Sequence, residues 1–556
     1  MRTQVPHRWE WVADKKRKAT LAKIPVEWIL PEHVIKDAAS RRKITGSFIE
    51  ALLSDRECAI TNITSPVLIE RICERQYTST EVTLAYCKRA AFAHQLNNCL
   101  HEIFFSDAIK AAGELDAYLA NTGETSGPLH GLPVSLKDQF HVKDVETTMG
   151  YVSWVGTFEG EKGTGQEFNV ESQLVEELKS LGAVLYCKTS CPQTLLLGET
   201  VNNLIGSTMN PVNQLLSCGG SSGGEGALLA LGGSTIGVGT DIGGSVRIPA
   251  SFCGVYSIKP SFGRFSYRKV ANNDPGQTIV NSAIGFMSTS LPALDLFMES
   301  ILSTKPWLRD PDVVEIPWRP HLKQQPKKLC FAVMRNDGMC TPHPPIARGV
   351  GIAVEAAKRA GHEVVDWQPP PHSEGVAIHG ACLGADGGHD VWKQLAILHE
   401  PLIPQMEEMY GGGPTDPMPV PEYQDYALKR LRYTARYMEY WNSTVEFTGT
   451  GRPVDAVIMP VAPHAAVIPN RYFHYGYTEI ADLLNFTAVA IPITTVDKSV
   501  DQTPDKFEPL NDEDLKNWKA YDADIYDGAP VGIQLLGRRF DEEHMISIAE
   551  EFVKLL

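Results

Sequence analysis

The stretch Cys218–Pro249 reads CGGSSGGEGALLALGGSTIGVGTDIGGSVRIP and contains eleven glycines and four serines. Glycine gives up more backbone freedom on folding than any other residue, so a segment this rich in it is a poor builder of an ordinary core. It suits a place where backbone N–H groups must crowd around a ligand. One short apolar run with a helical look, Ala227–Leu231, interrupts the glycines. Beyond it, a strand ending near Gly239 runs into consecutive glycines and then Ser245. A serine after Gly-Gly at a strand end lets successive N–H groups face one oxygen, the geometry that stabilises the oxyanion of acyl transfer. Ser245 is the candidate nucleophile, and the N–H groups of Ile242, Gly243, Gly244 and Ser245 are the candidate donors. By itself a Gly-Gly-Ser triplet is more often only a turn; its neighbours give it weight.

A serine hydroxyl attacks only when a base takes its proton. No histidine lies near this loop in sequence, and His130, His362 and His464 read as structural residues. Lys137 is the alternative. The segment Gly131–Phe140, GLPVSLKDQF, alternates: Leu132, Val134 and Leu136 point one way, and Pro133, Ser135 and Lys137 the other. A lysine beside Asp138 on such a strand also reads as a surface ion pair. To act as a base it must be buried, because desolvation is what lowers the pKa of an ammonium.

Composition bounds the setting. The chain has 556 residues, 43% hydrophobic and 21% charged, as in soluble globular enzymes. A net charge of −16 argues against a nucleic-acid partner, which needs a basic footprint. The KKRK cluster at Lys15–Lys18 reads as a solvated surface. Eleven cysteines without a C-x-x-C pair fit neither a disulfide framework nor a zinc site, and suggest a reducing compartment. No apolar stretch reaches the roughly 18 residues of a membrane span, and no secretory leader is evident. The expected setting is cytoplasmic, without a membrane partner.

Along the chain, residues 1–60 read as a charged arm anchored by Trp9, Trp11, Ile24, Trp28 and Leu30. Residues 61–556 read as one large α/β domain with a mixed central sheet wrapped by helices. Helical stripes occur at Leu68, Ile69, Ile72 and Cys73, and at Val82, Ala85, Tyr86 and Ala93, the second capped by Thr78 or Ser79. A helix from about Glu171 to Leu181 precedes a strand at Ala183–Tyr186, and further strands are expected at Ile236–Val238 and Val255–Ile258. The pattern restarts with a strand at Leu329–Met334, a helix at Pro345–Ala360 and a strand ending at Trp367. Strands at Ala456–Met459 and Gly532–Leu535 and a helix from Glu542 close the chain, after an exposed acidic loop, Asp497–Asp514.

Taken together, Lys137 in GLPVSLKD, Ser221 in GGSSGGEGAL and Ser245 in GTDIGGSVRIP resemble the amidase signature family, as does the 24-residue separation of the two serines. The resemblance extends to DAVIMPVAP (Asp455–Pro463), to NFTAVAIPIT from Asn485 and to GAPVGIQLLGRR (Gly528–Arg539), and is strongest toward fungal acetamidases. It implies a single amidase-signature domain and a Ser–Ser–Lys triad. Ser245 would attack an amide carbonyl, and Ser221, after a cis peptide, would relay the proton to neutral Lys137. Ser222 would hydrogen-bond to the triad, while Asp241 and Arg247 would order the loop carrying Ser245. The implied activity is hydrolysis of a monocarboxylic acid amide to acid and ammonia through an acyl-enzyme, with no metal or organic cofactor. The partner is a small-molecule amide; the assembly is left open, with a homodimer among the options.

Other interpretations compete. The substrate could be a pathway-specific metabolite, or the chain a glutamine-hydrolysing subunit of an amidotransferase. A fatty-acid amide hydrolase would want an apolar anchor that the sequence does not display. Gly220–Gly224 also fits G-x-S-x-G, which would make Ser222 the nucleophile of an α/β-hydrolase-type esterase. That elbow needs a preceding strand, whereas Asn210–Ser217 is loop-like. Glu225 after the glycines would repel phosphate, against a P-loop. Ser266 and Lys269 match S-x-x-K only by a short pattern, and Cys218 reads as a buried structural thiol. The resemblance to the amidase signature family also implies pocket walls from residues 150–165, 190–215 and 370–480.

Overall fold

The alternation at 131–140 yields a strand, but both of its faces are interior. The computed structural model describes residues 8–504 and 506–556, so the first seven residues of the arm and Asp505 of the acidic loop lie outside it. Thirteen strands are found among the described residues. In chain order they are β1 (Leu100–Ile103), β2 (Pro133–Lys137), β3 (Val184–Thr189), β4 (Val201–Asn202), β5 (Gly206–Ser207) and β6 (Ile236–Asp241). They continue with β7 (Tyr256–Lys259), β8 (Ala283–Ser288), β9 (Cys330–Val333) and β10 (Glu363–Asp366). The last three are β11 (Ala456–Pro460), β12 (Ala488–Thr495) and β13 (Pro530–Leu536).

Eleven of these form one sheet in the order β1-β3-β2-β6-β8-β7-β12-β13-β11-β9-β10, while β4 and β5 pair separately. Strands β3, β2 and β6 run parallel, as do β11, β9 and β10. Antiparallel strands join the two groups, so the sheet is mixed. Helices Gln173–Ser180, Leu291–Ser303 and Glu542–Val553 bury Leu178, Leu294, Ile301 and Phe552 in the same apolar cluster as Val134, Leu136 and Val238. On the opposite face, the helix Gly223–Ala230 lies against β2, β3 and β6. All five residues of β2 are buried, and Ser135 meets Glu225 of that helix. The polar side of the strand is therefore a second interior, not solvent.

The expected helices and strands are present with shifted ends: the helix read at Glu171–Leu181 spans Gln173–Ser180, and the strand read at Ala183–Tyr186 runs Val184–Thr189. Thr78 is the cap of its helix and accepts from the Glu81 N–H at 3.0 Å. The 24-residue helix Val420–Ser443 was not anticipated; it buries only Tyr433, Tyr437 and Trp441.

Two expectations are corrected. Lys16 of the KKRK cluster is not solvated. It lies 8% exposed on the helix Arg8–Leu21 and forms ion pairs with Glu102 of β1 and with Glu146. Burial alone would lower its pKa, but the two carboxylates more than offset this and keep it charged. Nor is Asp497–Asp514 uniformly exposed. Asp501 is buried against Arg348 at 2.7 Å, and buried Asp514 accepts from the Thr341 N–H within the helix Asp512–Ala520. Each acid had a partner distant in sequence.

The tight seat of the helix Gly223–Ala230 depends on missing side chains. A Cβ at Gly239 of β6 would stand 2.6 Å from Ser222 Oγ, and one at Gly224 would stand 2.6 Å from the Ser190 carbonyl oxygen, a backbone atom that cannot swing away. Gly224→Ala is expected to destabilise the fold by about 1–3 kcal/mol, the usual cost of overpacking, read as a lower midpoint in urea unfolding; an unchanged midpoint would contradict this packing.

Candidate active site

Parallel strands β2 and β6 are neighbours, so their C-terminal ends open on the same edge of the sheet. Lys137 ends β2, and Thr240 and Asp241 end β6 just before the loop that carries Ser245. Ser221 enters from the turn ahead of the helix Gly223–Ala230, and the Gly220–Ser221 peptide is cis. Lys137, 0% exposed, places Nζ 2.8 Å from Ser221 Oγ and 3.0 Å from Thr240 Oγ1. The Thr240 hydroxyl in turn donates to Gln139 Oε1 at 2.6 Å. Burial pulls the Lys137 pKa down to about 8, against partial opposition from nearby acids. Of these acids, burial pushes Glu225 up to about 8, so at neutral pH it holds its own proton.

Asp138 is not the partner of Lys137. Its carboxylate is 2.7 Å from Lys188 Nζ and 2.9 Å from His101 Nδ1, and these groups keep it ionised in spite of full burial.

The loop itself is built around a carboxylate. Asp241 accepts from the N–H groups of Gly244 (2.7 Å), Val246 (3.1 Å) and Arg247 (3.3 Å). The Arg247 guanidinium closes the ring on Asp241 at 3.0 Å and reaches Asp482 at 2.8 Å and Gln534 Oε1 at 2.9 Å. Gly244 sits at φ +124°, a region that side chains avoid, with the Thr478 side chain against it.

This geometry corrects one expected donor. The Gly244 N–H is already given to Asp241 and cannot serve a substrate oxygen, whereas the N–H groups of Ile242, Gly243 and Ser245 meet no protein acceptor among the described residues. Ser222 is 0% exposed; its N–H bonds to the Ser245 carbonyl at 3.0 Å and its hydroxyl lies 3.4 Å from the Thr240 backbone. Its hydroxyl bonds to no histidine among the described residues and lines neither of the two cavities at Ser245, which speaks against the esterase interpretation. Cys218 is buried, and Ser266 donates to Asp310 at 2.6 Å rather than pairing with Lys269.

Two cavities meet at Ser245. One, of about 330 Å³, is walled by Leu195–Leu197, Ile242, Ile248, Leu383, Met409 and Tyr475. The other, of about 460 Å³, is polar, reaches Ser221 and Thr240, and extends past Tyr267 and Asn273 to Asp310. The expected wall at 150–165 contributes to neither, and residues 262–282, which do, were not anticipated. Thr240, Gln139 and Gln534 lie within the motifs read from sequence, but Asp482 carries no local signal.

The profile of the amidase family matches residues 81–546. The chain belongs to the amidase family. An acetamidase of Emericella nidulans is 40% identical over 562 residues, covering 99% of both chains, and an acetamidase of Aspergillus oryzae is 41% identical over 560 residues at the same coverage. Among solved structures, a fatty acid amide hydrolase superposes with a TM-score of 0.89 at 31% identity, covering 99% of this chain and 95% of that one. This amidase is accordingly an amide-hydrolysing enzyme with a single amidase-signature fold. No helix among the described residues is long and apolar enough to cross a membrane.

Breaking the ring around Asp241 has a calculable consequence. Arg247→Met would leave Asp241 without its bonded cation, Asp482 keeping Lys259 at 3.6 Å, a loss of about 3–5 kcal/mol by analogy with other broken buried pairs. Urea unfolding of the variant should register it, and wild-type stability would refute the role given to Arg247.

Proposed function

We propose that this amidase converts monocarboxylic acid amides and water to the acid and ammonia through an acyl-enzyme on Ser245. The observation that carries the proposal is a desolvated lysine amine 2.8 Å from Ser221 Oγ, with Ser221 and Ser245 lining one cavity. A neutral amine has two hydrogens and one lone pair. Gln139 takes the Thr240 proton, so Thr240 Oγ1 can only accept from Lys137. That fixes one amine hydrogen on Thr240 and leaves the lone pair for the Ser221 hydroxyl. Ser221 passes its proton to Lys137 as it takes the one from Ser245, whose oxygen bonds to the amide carbon. The carbonyl oxygen gathers the electron pair and is met by the N–H groups of Ile242, Gly243 and Ser245. Collapse of this adduct breaks the C–N bond, and Lys137 returns the proton through Ser221 to the departing nitrogen. Water then enters and reverses the relay to free the acid.

The apolar cavity favours the acyl side, and its volume exceeds what an acetyl group fills. Relatives named for acetamide and for fatty acid amides bracket the range, and we place this chain's preference at aliphatic acyl groups longer than acetyl. The eleven cysteines, all unpaired, fit a cytoplasmic setting.

Ser245→Ala is expected to abolish turnover, and wild-type enzyme with a good amide and hydroxylamine should yield hydroxamate; a substantial rate in the variant, or no hydroxamate, would reject the acyl-enzyme. Because the amine must be neutral to act, kcat/KM should climb about tenfold per pH unit below pH 8 and level off above it. Lys137→Ala should lose several orders of magnitude along with that limb. A limb unchanged in the variant would show that another group titrates. Along a series from acetamide to hexanamide, kcat/KM should rise about threefold to fourfold per methylene, as burial of each CH₂ predicts; a falling series would overturn the preference for longer acyl groups.

A further inference from the structure

The oxyanion donors sit on a loop with adjacent glycines, Gly243 and Gly244, where no side chain resists rotation of the peptide plane. Something must therefore hold those planes. We infer that His379 is a positioning residue for this hydrolysis: by donating to the Ile242 carbonyl, it fixes the peptide whose N–H, that of Gly243, serves the substrate oxygen. The inference rests on the acyl-enzyme proposed above.

His379 lies on the helix His372–Leu383, which packs against the helix Gly476–Leu483. Its Nε2 is 2.8 Å from the Ile242 carbonyl oxygen. Two acceptors would repel at that distance, so Nε2 carries a hydrogen. In a trans peptide the C=O and the following N–H point in opposite senses within one plane. Anchoring the Ile242 oxygen thus fixes the Gly243 N–H the other way, where no protein acceptor meets it. The ring lies directly on the loop, since a Cβ at Gly243 would stand 3.6 Å from His379 Cε1 and 3.5 Å from Glu479 Cγ.

The ring has its own support. His379 Nδ1 is buried without a hydrogen-bond partner and faces Glu479 Oε1 at 3.6 Å. One proton between them, on either group, prevents two lone pairs from opposing each other and keeps Nε2 turned to the loop. The next carbonyl in the chain, that of Gly243, is held separately by Thr478 Oγ1 at 2.6 Å. The peptide it fixes carries the Gly244 N–H, which belongs to Asp241. The two clamps therefore look alike but hold different N–H groups, one facing substrate and one facing the protein.

The test compares His379→Phe, which keeps the ring and loses the donor, with His379→Gln, which keeps a donor of similar reach, and with Thr478→Val. Wild-type enzyme is first treated with a fluorophosphonate; absence of labelling at Ser245 would reject the acyl-enzyme and this inference with it. With labelling established, His379→Phe should lower kcat/KM for an aliphatic amide by about 10- to 100-fold, less than outright removal of a donor. It should weaken an alkylboronic acid, which mimics the tetrahedral adduct, by a similar factor while KM stays within about threefold, and glutamine should recover most of the loss. Thr478→Val should lose several-fold less than His379→Phe. The inference alone falls if His379→Phe stays within twofold of wild type, if glutamine does no better than phenylalanine, if boronate affinity is unmoved, or if Thr478→Val loses as much. Should the phenylalanine variant fail to fold, His379→Asn, too short to reach the carbonyl, takes its place against glutamine.

Discussion

A lysine amine kept out of water is the constraint on which the proposed mechanism depends. An ammonium ion on the surface holds its proton at any physiological pH and offers no lone pair. At the end of β2, with the helix Gly223–Ala230 over one face and an apolar cluster on the other, Lys137 is 0% exposed. The strand must be central to be covered on both faces, which is what neighbours β3 and β6 provide. The glycines of β6 then let the helix approach closely enough to bring Ser221 to the amine. Sheet order, glycine placement and pKa are thus one design: widen any of the gaps and water returns to the lysine.

Around that centre, charge is organised in closed groups. Asp241 and Arg247, with Asp482 and Gln534, form one group that shapes the loop carrying Ser245. Asp138, Lys188 and His101 form a second beside Lys137. Each cation is matched to carboxylates at hydrogen-bond distance, as buried ions require. The arrangement also keeps Asp138 from holding a proton on Lys137, because its charge is already spent on Lys188 and His101.

Much of this was legible in the chain. Lys137, Ser221 and Ser245 stand in motifs whose glycines and alternation point to a strand end, a tight turn and a loop, and β2 and β6 emerge where expected. The parts that were hidden are contacts between distant segments. Lys137 beside Asp138 also read as a surface ion pair because alternation reports polarity, not what covers it. Lys16 read as surface for the same reason. His379 contacts a carbonyl 137 positions earlier, and a backbone acceptor leaves no trace in sequence. The helix Val420–Ser443 spaces Tyr433, Tyr437 and Trp441 four apart, but exposed apolar residues such as Val420, Leu428 and Leu431 on its other faces blur the stripe. The Gly244 donor was misassigned because the loop's carboxylate, only three residues back, competes for it.

The ion pairs of Lys16 reach further than the outer surface of the fold. Glu146, one of its two partners, also offers its carbonyl oxygen to Lys188 at 2.6 Å, and Lys188 holds Asp138, the residue next to Lys137. The first helix is therefore wired by contiguous contacts to the centre of the molecule. Trimming it away would strand Glu146 without its cation and leave Glu102 only Lys23 at 3.4 Å, and the disturbance would travel inward along this relay rather than stay at the periphery. The leading segment is in that sense a keystone.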